Sequence, residues 1–250
     1  FFIYNFASTC KVTACTENYI VQFFKNREIN TMAKHFDREL EKLKKKILSL
    51  GALVEERVYL AIKAIESRDP DLAKRFIRLD HESDETEVEV EEVGLKVLAL
   101  YQPVAIDLRF IVAVIKINND LERIGDEAVN IAERIQSIAK YPNISFHFDY
   151  TEMAEIAAAM LKQSLDALVN LDIDTAFRIL TLDDEVDDIQ SNAYSQIKQA
   201  MREYPEEMTY LINLYLISRH LERVADHATN LAEEVIYLIE GEIIRHGKYL

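Results

Sequence analysis

The chain has 250 residues, 49% of them apolar, and a formal net charge of −15 at pH 7. That much apolar content supports a core for one or two domains, whereas so negative a balance excludes direct nucleic-acid binding, which needs a basic surface. Gly (5) and Pro (4) are scarce and Leu, Ala, Glu, Ile and Lys are abundant, a composition that favours long helices. No apolar run reaches the length of a membrane span.

In chain order, residues 1–31 differ from the rest. They hold 7 of the 23 aromatic residues and both cysteines, Cys10 and Cys15, and show no helical period. Without further Cys nearby this pair makes neither a zinc site nor a disulfide framework. The stretch lacks the basic start and compact apolar run of a secretory signal. Met32 opens strongly helical sequence, so translation is expected to start there, with 1–31 an extension outside the fold.

From there the apolar periodicity predicts helices over about 33–67, 70–101, 104–138, 149–170, 172–203 and 206–245. Pro70, Pro103 and Pro205 stand at helix boundaries and Pro142 in the aperiodic stretch 139–150, as expected of a residue that starts helices but interrupts them elsewhere. Asp69 and Asp71, and their counterparts Asp172 and Asp174, can cap helix starts. Short turns between consecutive helices imply antiparallel packing. The expected fold is all-α: two tandem antiparallel three-helix bundles, 32–140 and 149–246. A run of Lys42, Lys44, Lys45 and Lys46 on the first helix reads as a solvated face.

The two halves repeat one another. Leu121–Glu133 reads LERIGDEAVNIAE and Leu221–Glu233 reads LERVADHATNLAE, identical at eight of thirteen positions. Upstream of each copy lies a second acidic element, Leu79–Asp84 (LDHESD) and Leu182–Asp187 (LDDEVD). Order and spacing are both preserved, the pattern left by duplication of a helical unit.

Four acidic pairs have i, i+4 spacing: Asp80 and Asp84, Glu122 and Asp126, Asp183 and Asp187, Glu222 and Asp226. Each pair shares a helix face, where like charges repel by roughly 0.2–0.5 kcal/mol. Distance from the turns aligns them further. Asp84 and Glu122 are each 19 residues from Pro103, and Asp80 and Asp126 are each 23. Around Pro205 the distances are 18 and 17, then 22 and 21. Residues equidistant from an antiparallel turn stand at equal height, so each half should present four carboxylates side by side. An all-oxygen set of this kind suits hard or borderline cations such as Mg, Mn, Ca or Fe. The competing explanation is a solvated acidic face, which does not require the double height match.

On a helical wheel the acids lie opposite the main apolar stripe of Ile124, Ala128, Ile131 and Ile135, and of Val224, Ala228, Leu231 and Val235 in the second copy. The sites are therefore expected on the bundle surface, unlike ferritin-like centres whose ligands project inward. His81, His220 and His227 read as surface histidines. Asn130 and Asn230 are candidate donors to the carboxylates. Arg123 and Arg223 are expected to pair with a neighbouring acid.

No glycine-rich phosphate loop, nucleophile motif or Glu-x-x-His pair is present. The chain is therefore read as a non-enzyme. Two alternatives stay open: a carboxylate-bridged metal oxidase or hydrolase, and a metal-free helical adaptor.

The paired LER-x-x-D-x-A-x-N-x-A-E elements, the Asp-x-x-x-Asp elements and the turn Gln102-Pro103-Val104-Ala105-Ile106-Asp107-Leu108-Arg109 resemble the PhoU family of phosphate-transport regulators. The likeness covers about residues 34–241, with the Gln-Pro-Val-Ala run missing from the second turn. The resemblance implies two similar three-helix bundles that bind metal ions or clusters, often iron or zinc. By matching position the ligands would be Asp80, Asp84, Glu122, Asp126, Asp183, Asp187, Glu222 and Asp226, with Fe, Zn, Mn or Mg as the cation. It further implies a cytoplasmic, often dimeric, negative regulator of phosphate uptake and the phosphate-starvation response. Its implied partners are the ATPase subunit of a phosphate ABC transporter and a sensor histidine kinase, with membrane contact only through them.

Overall fold

The computed structural model describes residues 9–67, 81–141, 144 and 146–243, with side chains described from residue 34 onward except at 81–84. Six α-helices follow one another: α1 (Thr9–Ser67), α2 (His81–Tyr101), α3 (Ala105–Ile138), α4 (Thr151–Asn170), α5 (Ile173–Glu203) and α6 (Met208–Glu240). A single 3₁₀ turn, Pro205–Glu207, leads into α6. Among the described residues there is no strand, and the helices form two tandem three-helix bundles, α1–α3 and α4–α6.

Helix α1 runs back to Thr9, so residues 9–31 are helical where the sequence showed no period. No Gly or Pro stands between Thr9 and Leu50, and nothing there stops a helix from propagating. The chain divides into two compact units, Phe1–Leu43 and Lys44–Leu250. The first holds the early part of α1, where Lys42 pairs with Glu39 at 2.6 Å. The second holds the rest of α1 together with α2–α6.

The ends of the elements obey local rules. Asp172 caps α5, its carboxylate accepting from Thr175 N at 3.1 Å and Thr175 Oγ1 at 2.7 Å, as expected from the sequence. Asp69, Pro70 and Asp71, which were to start the second helix, lie outside the described residues. Gln102 (φ 45°) and Ala105 (φ 51°) flank Pro103 in the left-handed region, so the α2–α3 turn reverses the chain within three residues.

Helix α6 ends at Gly241, short of the expected residue 245, because Gly241 takes the left-handed φ of 79° and its N–H bonds to Tyr237 O. A Cβ built on Gly241 would stand 1.9 Å from Arg109 Nη1. The guanidinium thus lies against the negative end of the α6 dipole. Gly241→Ala is expected to destabilise the protein by about 1–2 kcal/mol, from the positive φ and the displaced arginine together. Chemical denaturation checks this, and an unchanged midpoint would contradict it.

The expected apolar stripes form the core. Ile124, Ala128, Ile131 and Ile135 of α3, and Val224, Ala228, Leu231 and Val235 of α6, are all buried. Burial on these two helices is wider than one stripe, however, and takes in Leu121, Gly125, Glu127 and Ala132 on α3. The reason is that α3 and α6 pack on each other as well as within their own bundles. Their side-chain partners run in opposite directions, from Lys116 with Glu234 to Arg134 with Asn213, so the two helices are antiparallel. The basic run at the start of the second unit is partnered: Lys46 pairs with Glu89, and Lys44 stands 5.7 Å from the Phe110 ring centroid.

Candidate metal centre

The second hairpin sets its acidic pairs at matching heights, as the turn distances predict. In the second half Thr229 Oγ1 of α6 donates to Asp183 Oδ1 of α5 at 3.2 Å. This bond sets Asp183 beside the turn that carries Asp226. In the first half Asn118 of α3 donates to both the backbone and side-chain oxygens of Glu87 on α2, each at 3.1 Å. That is the same register one turn nearer Pro103. Glu122 and Asp126 follow on the same face of α3. Asp84 lies in α2, but its side chain is outside the described residues, and Asp80 lies outside them altogether.

The four acids of the second half feel one another. Burial, then the charges of Asp226 and Asp187, push the Asp183 carboxyl up to about 6, with the Thr229 hydrogen bond opposing. Burial also raises Asp226, reinforced by Glu222 and Asp187 and countered by His227 and Arg219. Glu222 is raised by burial and by Asp187, against the lowering charge of Arg219. Carboxylates held together so closely favour either a proton or a metal ion between them. The donors are all oxygens, consistent with the cations expected from sequence. Among the described residues no three His, Cys, Asp or Glu side chains already surround one cation position. The donor set is nonetheless all carboxylate, the chemistry of a hard-cation site, and Asp183, Asp187, Glu222 and Asp226 are the residues that would hold such an ion.

The first half is more open. Arg123 Nε lies 3.3 Å from Glu122 Oε2, and its Nη1 lies 4.0 Å from Asp126 Oδ2. The arginine thus pairs with neighbouring acids, as anticipated.

The polar residues around these pairs take a role that sequence alone did not assign. His220 and His227 are not free surface histidines. His220 Nδ1 lies 2.6 Å from Glu127 Oε2, and His227 Nδ1 lies 2.9 Å from Asp120 Oδ1. Facing carboxylate oxygens, each Nδ1 must carry the proton. Asn230 donates to Asp120 at 3.1 Å, Asn130 bonds to Glu127, and Arg223 Nη1 reaches Glu127 Oε1 at 2.6 Å. Asn130 and Asn230 therefore serve the α3–α6 seam, not the metal candidates. Burial pushes the Glu127 carboxyl up. The hydrogen bond and charge of His220, the charge of Arg223 and the Asn130 hydrogen bond outweigh it and hold the group below its usual range.

A signal for this seam was present in the repeat. A shift of 100 residues places Asp120 on His220 and Glu127 on His227. Acid in one copy becomes base in the other at two positions seven residues apart, which in antiparallel helices makes two complementary pairs. His81, the third histidine considered, has its side chain outside the described residues.

Fold and site together define a duplicated, all-helical protein with grouped carboxylates on its second hairpin. The chain belongs to the PhoU family: the PhoU domain matches residues 47–135 and again 150–235, once per bundle. The phosphate-specific transport system accessory protein PhoU homologue of Aquifex aeolicus is 37% identical over 209 residues, 84% of this chain and 95% of that protein. The Clostridium acetobutylicum homologue is 33% identical over 210 residues, 84% of this chain and 96% of the relative. Crystalline PhoU from Pseudomonas aeruginosa superposes with a TM-score of 0.80 at 33% identity, covering 83% of this chain and all of that one. The phosphate transport system regulatory protein PhoU from Streptococcus pneumoniae gives 0.78 at 29% identity, covering 84% of this chain and all of that one.

Proposed function

We propose that this protein is a non-enzymatic negative regulator of phosphate uptake and the phosphate-starvation response, and that it holds metal ions on its carboxylate clusters. The observation that supports the metal reading is the second hairpin, where Thr229 of α6 bonds to Asp183 of α5 and burial and neighbouring carboxylates raise Asp183, Glu222 and Asp226. Relatives named as accessory proteins of a phosphate-specific transport system support the regulatory reading. The partners are the ATPase subunit of a phosphate ABC transporter and a sensor histidine kinase, met by a cytoplasmic protein that acts as a homodimer. No described helix is long and apolar enough to cross a membrane.

The chain's residues divide the work. Asp183 and Asp187 on α5, with Glu222 and Asp226 on α6, supply the second cluster. Asp80, Asp84, Glu122 and Asp126 supply the first. A bound Fe, Zn, Mn or Mg ion would neutralise the repulsion and tie the two helices of each hairpin together. Thr229 holds one Asp183 oxygen in place.

In a related host lacking its own PhoU gene, expression of this chain is expected to restore repression of a phosphate-starvation reporter in high phosphate. A well-expressed chain that leaves the reporter active would overturn the regulatory reading. Protein purified without chelator is expected to retain about one metal ion per chain or more, and to gain thermal stability on adding Mn, Zn or Fe. Less than about one ion per chain together with unchanged thermal stability would support the metal-free adaptor instead.

A further inference from the structure

Glu122 and its repeat counterpart Glu222 pair with arginines at different positions of the repeat. In the first half it is the arginine directly after the glutamate, Arg123 beside Glu122 and Asp126. The repeat supplies Arg223 at the same place in the second half, but Arg223 is turned to Glu127 across the α3–α6 seam. Its role at the second cluster falls to Arg219, one turn earlier on α6, with Nη1 2.6 Å from Glu222 Oε1. The repeat counterpart of Arg219 is Asn119, an uncharged residue. The influence of Arg219 extends beyond Glu222, since its charge also acts on Asp226.

A guanidinium stays charged at any pH a protein meets, so Arg219 cannot be discharged to make way for another cation. It can only move. Its side chain is 40% exposed while that of Glu222 is 13% exposed. The arginine therefore has solvent to swing into, and the carboxylate stays behind. We infer that Arg219 is the resident counter-cation of the Asp183, Asp187, Glu222 and Asp226 cluster. A divalent cation binds there by displacing the guanidinium from Glu222, so Arg219 sets the cluster's cation affinity. This inference rests on the reading of the cluster as a metal site. The same carboxylate oxygen serves two competing cations, one tethered and one free, and the tethered one weakens binding of the other by the interaction it must give up.

The test uses full-length protein with the first cluster disabled by Glu122→Gln and Asp126→Asn, comparing Arg219, Arg219→Lys and Arg219→Ala. Calorimetric titration with Mn²⁺ and, in parallel, Zn²⁺ reads affinity at the second cluster. Thermal melts with and without the ion read the cost of unneutralised charge. Arg219→Ala is expected to bind about tenfold tighter or better, the least that surrendering a charged hydrogen bond implies. Arg219→Lys should fall between, because a lysine pairs as a point charge without the planar fork. Metal-free Arg219→Ala should melt lower than the parent, and the added ion should raise its melting temperature more than it raises the parent's. Equal or weaker binding by Arg219→Ala overturns the role of Arg219 alone. Absence of binding in all three proteins overturns the metal reading itself, and the displacement with it.

Discussion

Replacing Asp183 with asparagine is expected to stabilise the metal-free protein by about 1–2 kcal/mol at neutral pH, and to weaken Mn²⁺ binding at the second cluster by about 100-fold or more. The two effects have one cause. In the folded protein the Asp183 carboxyl is raised from 3.8 to about 6 by burial and by Asp226 and Asp187. Between those values the native state holds a proton that the unfolded chain has lost, so stability falls as pH rises through this window. Above it, native Asp183 is ionised against its surroundings. The asparagine side chain has the shape of the protonated acid and still accepts from Thr229, without the charge. The full shift overstates the gain, because the group is only half-buried and solvent screens it.

The pH dependence gives the check. The stabilisation by Asp183→Asn should be greatest above about pH 6 and vanish below about pH 4, where the native aspartate is already protonated. Denaturation in the presence of chelator at both extremes measures it. A gain that is the same at both, or a loss at neutral pH, would show that Asp183 carries no such electrostatic burden. Residues that oppose stability in the free protein are a recurrent feature of functional sites, and Asp183 opposes it through its burial and its acidic neighbours.

The second large effect is on the seam. Glu127→Ala is expected to destabilise the protein by about 2–3 kcal/mol, somewhat less than the roughly 3–5 kcal/mol for breaking a fully buried ion pair. Glu127 is 2% exposed, and it accepts from His220 at 2.6 Å and pairs with Arg223 at 2.6 Å. Its removal leaves a cavity and strands donors on α6. Arg223, 45% exposed, can turn to water and recover part of the loss. For a chain of this size the change is a fall of about 5–10 °C in melting temperature. Glu133→Ala, at an exposed position beside Arg134, should stay within about 0.5 kcal/mol of the parent. If the two variants melted alike, the α3–α6 seam would not be a principal tie between the bundles.

The seam marks the limit of what periodicity reveals. Apolar spacing identified the buried face of α3 and α6, and Ile124, Ile131, Leu231 and Val235 are buried as expected. Spacing does not say how many neighbours a helix has. Glu127 lies outside the apolar stripe and carries charge, yet α6 covers it with His220 and Arg223. The repeat held the clue in its acid-to-histidine exchanges at 120/220 and 127/227. Those exchanges gain meaning only when the two helices are known to lie antiparallel in contact.

From residue 34 onward the helices, the turns at Pro103 and Pro205 and the duplication were determined by the sequence alone, because proline, glycine and apolar period act within a few residues of chain. The same local information set the register of each hairpin, since its two arms share one turn, and the bonds from Asn118 to Glu87 and from Thr229 to Asp183 hold that register. Tertiary structure alone decided which charges meet. Arg123 and Arg223 occupy the same position of the same motif, yet one pairs with its own helix and the other crosses to Glu127. A long charged side chain chooses among acids within its reach, and only the packing of distant segments brings those acids there.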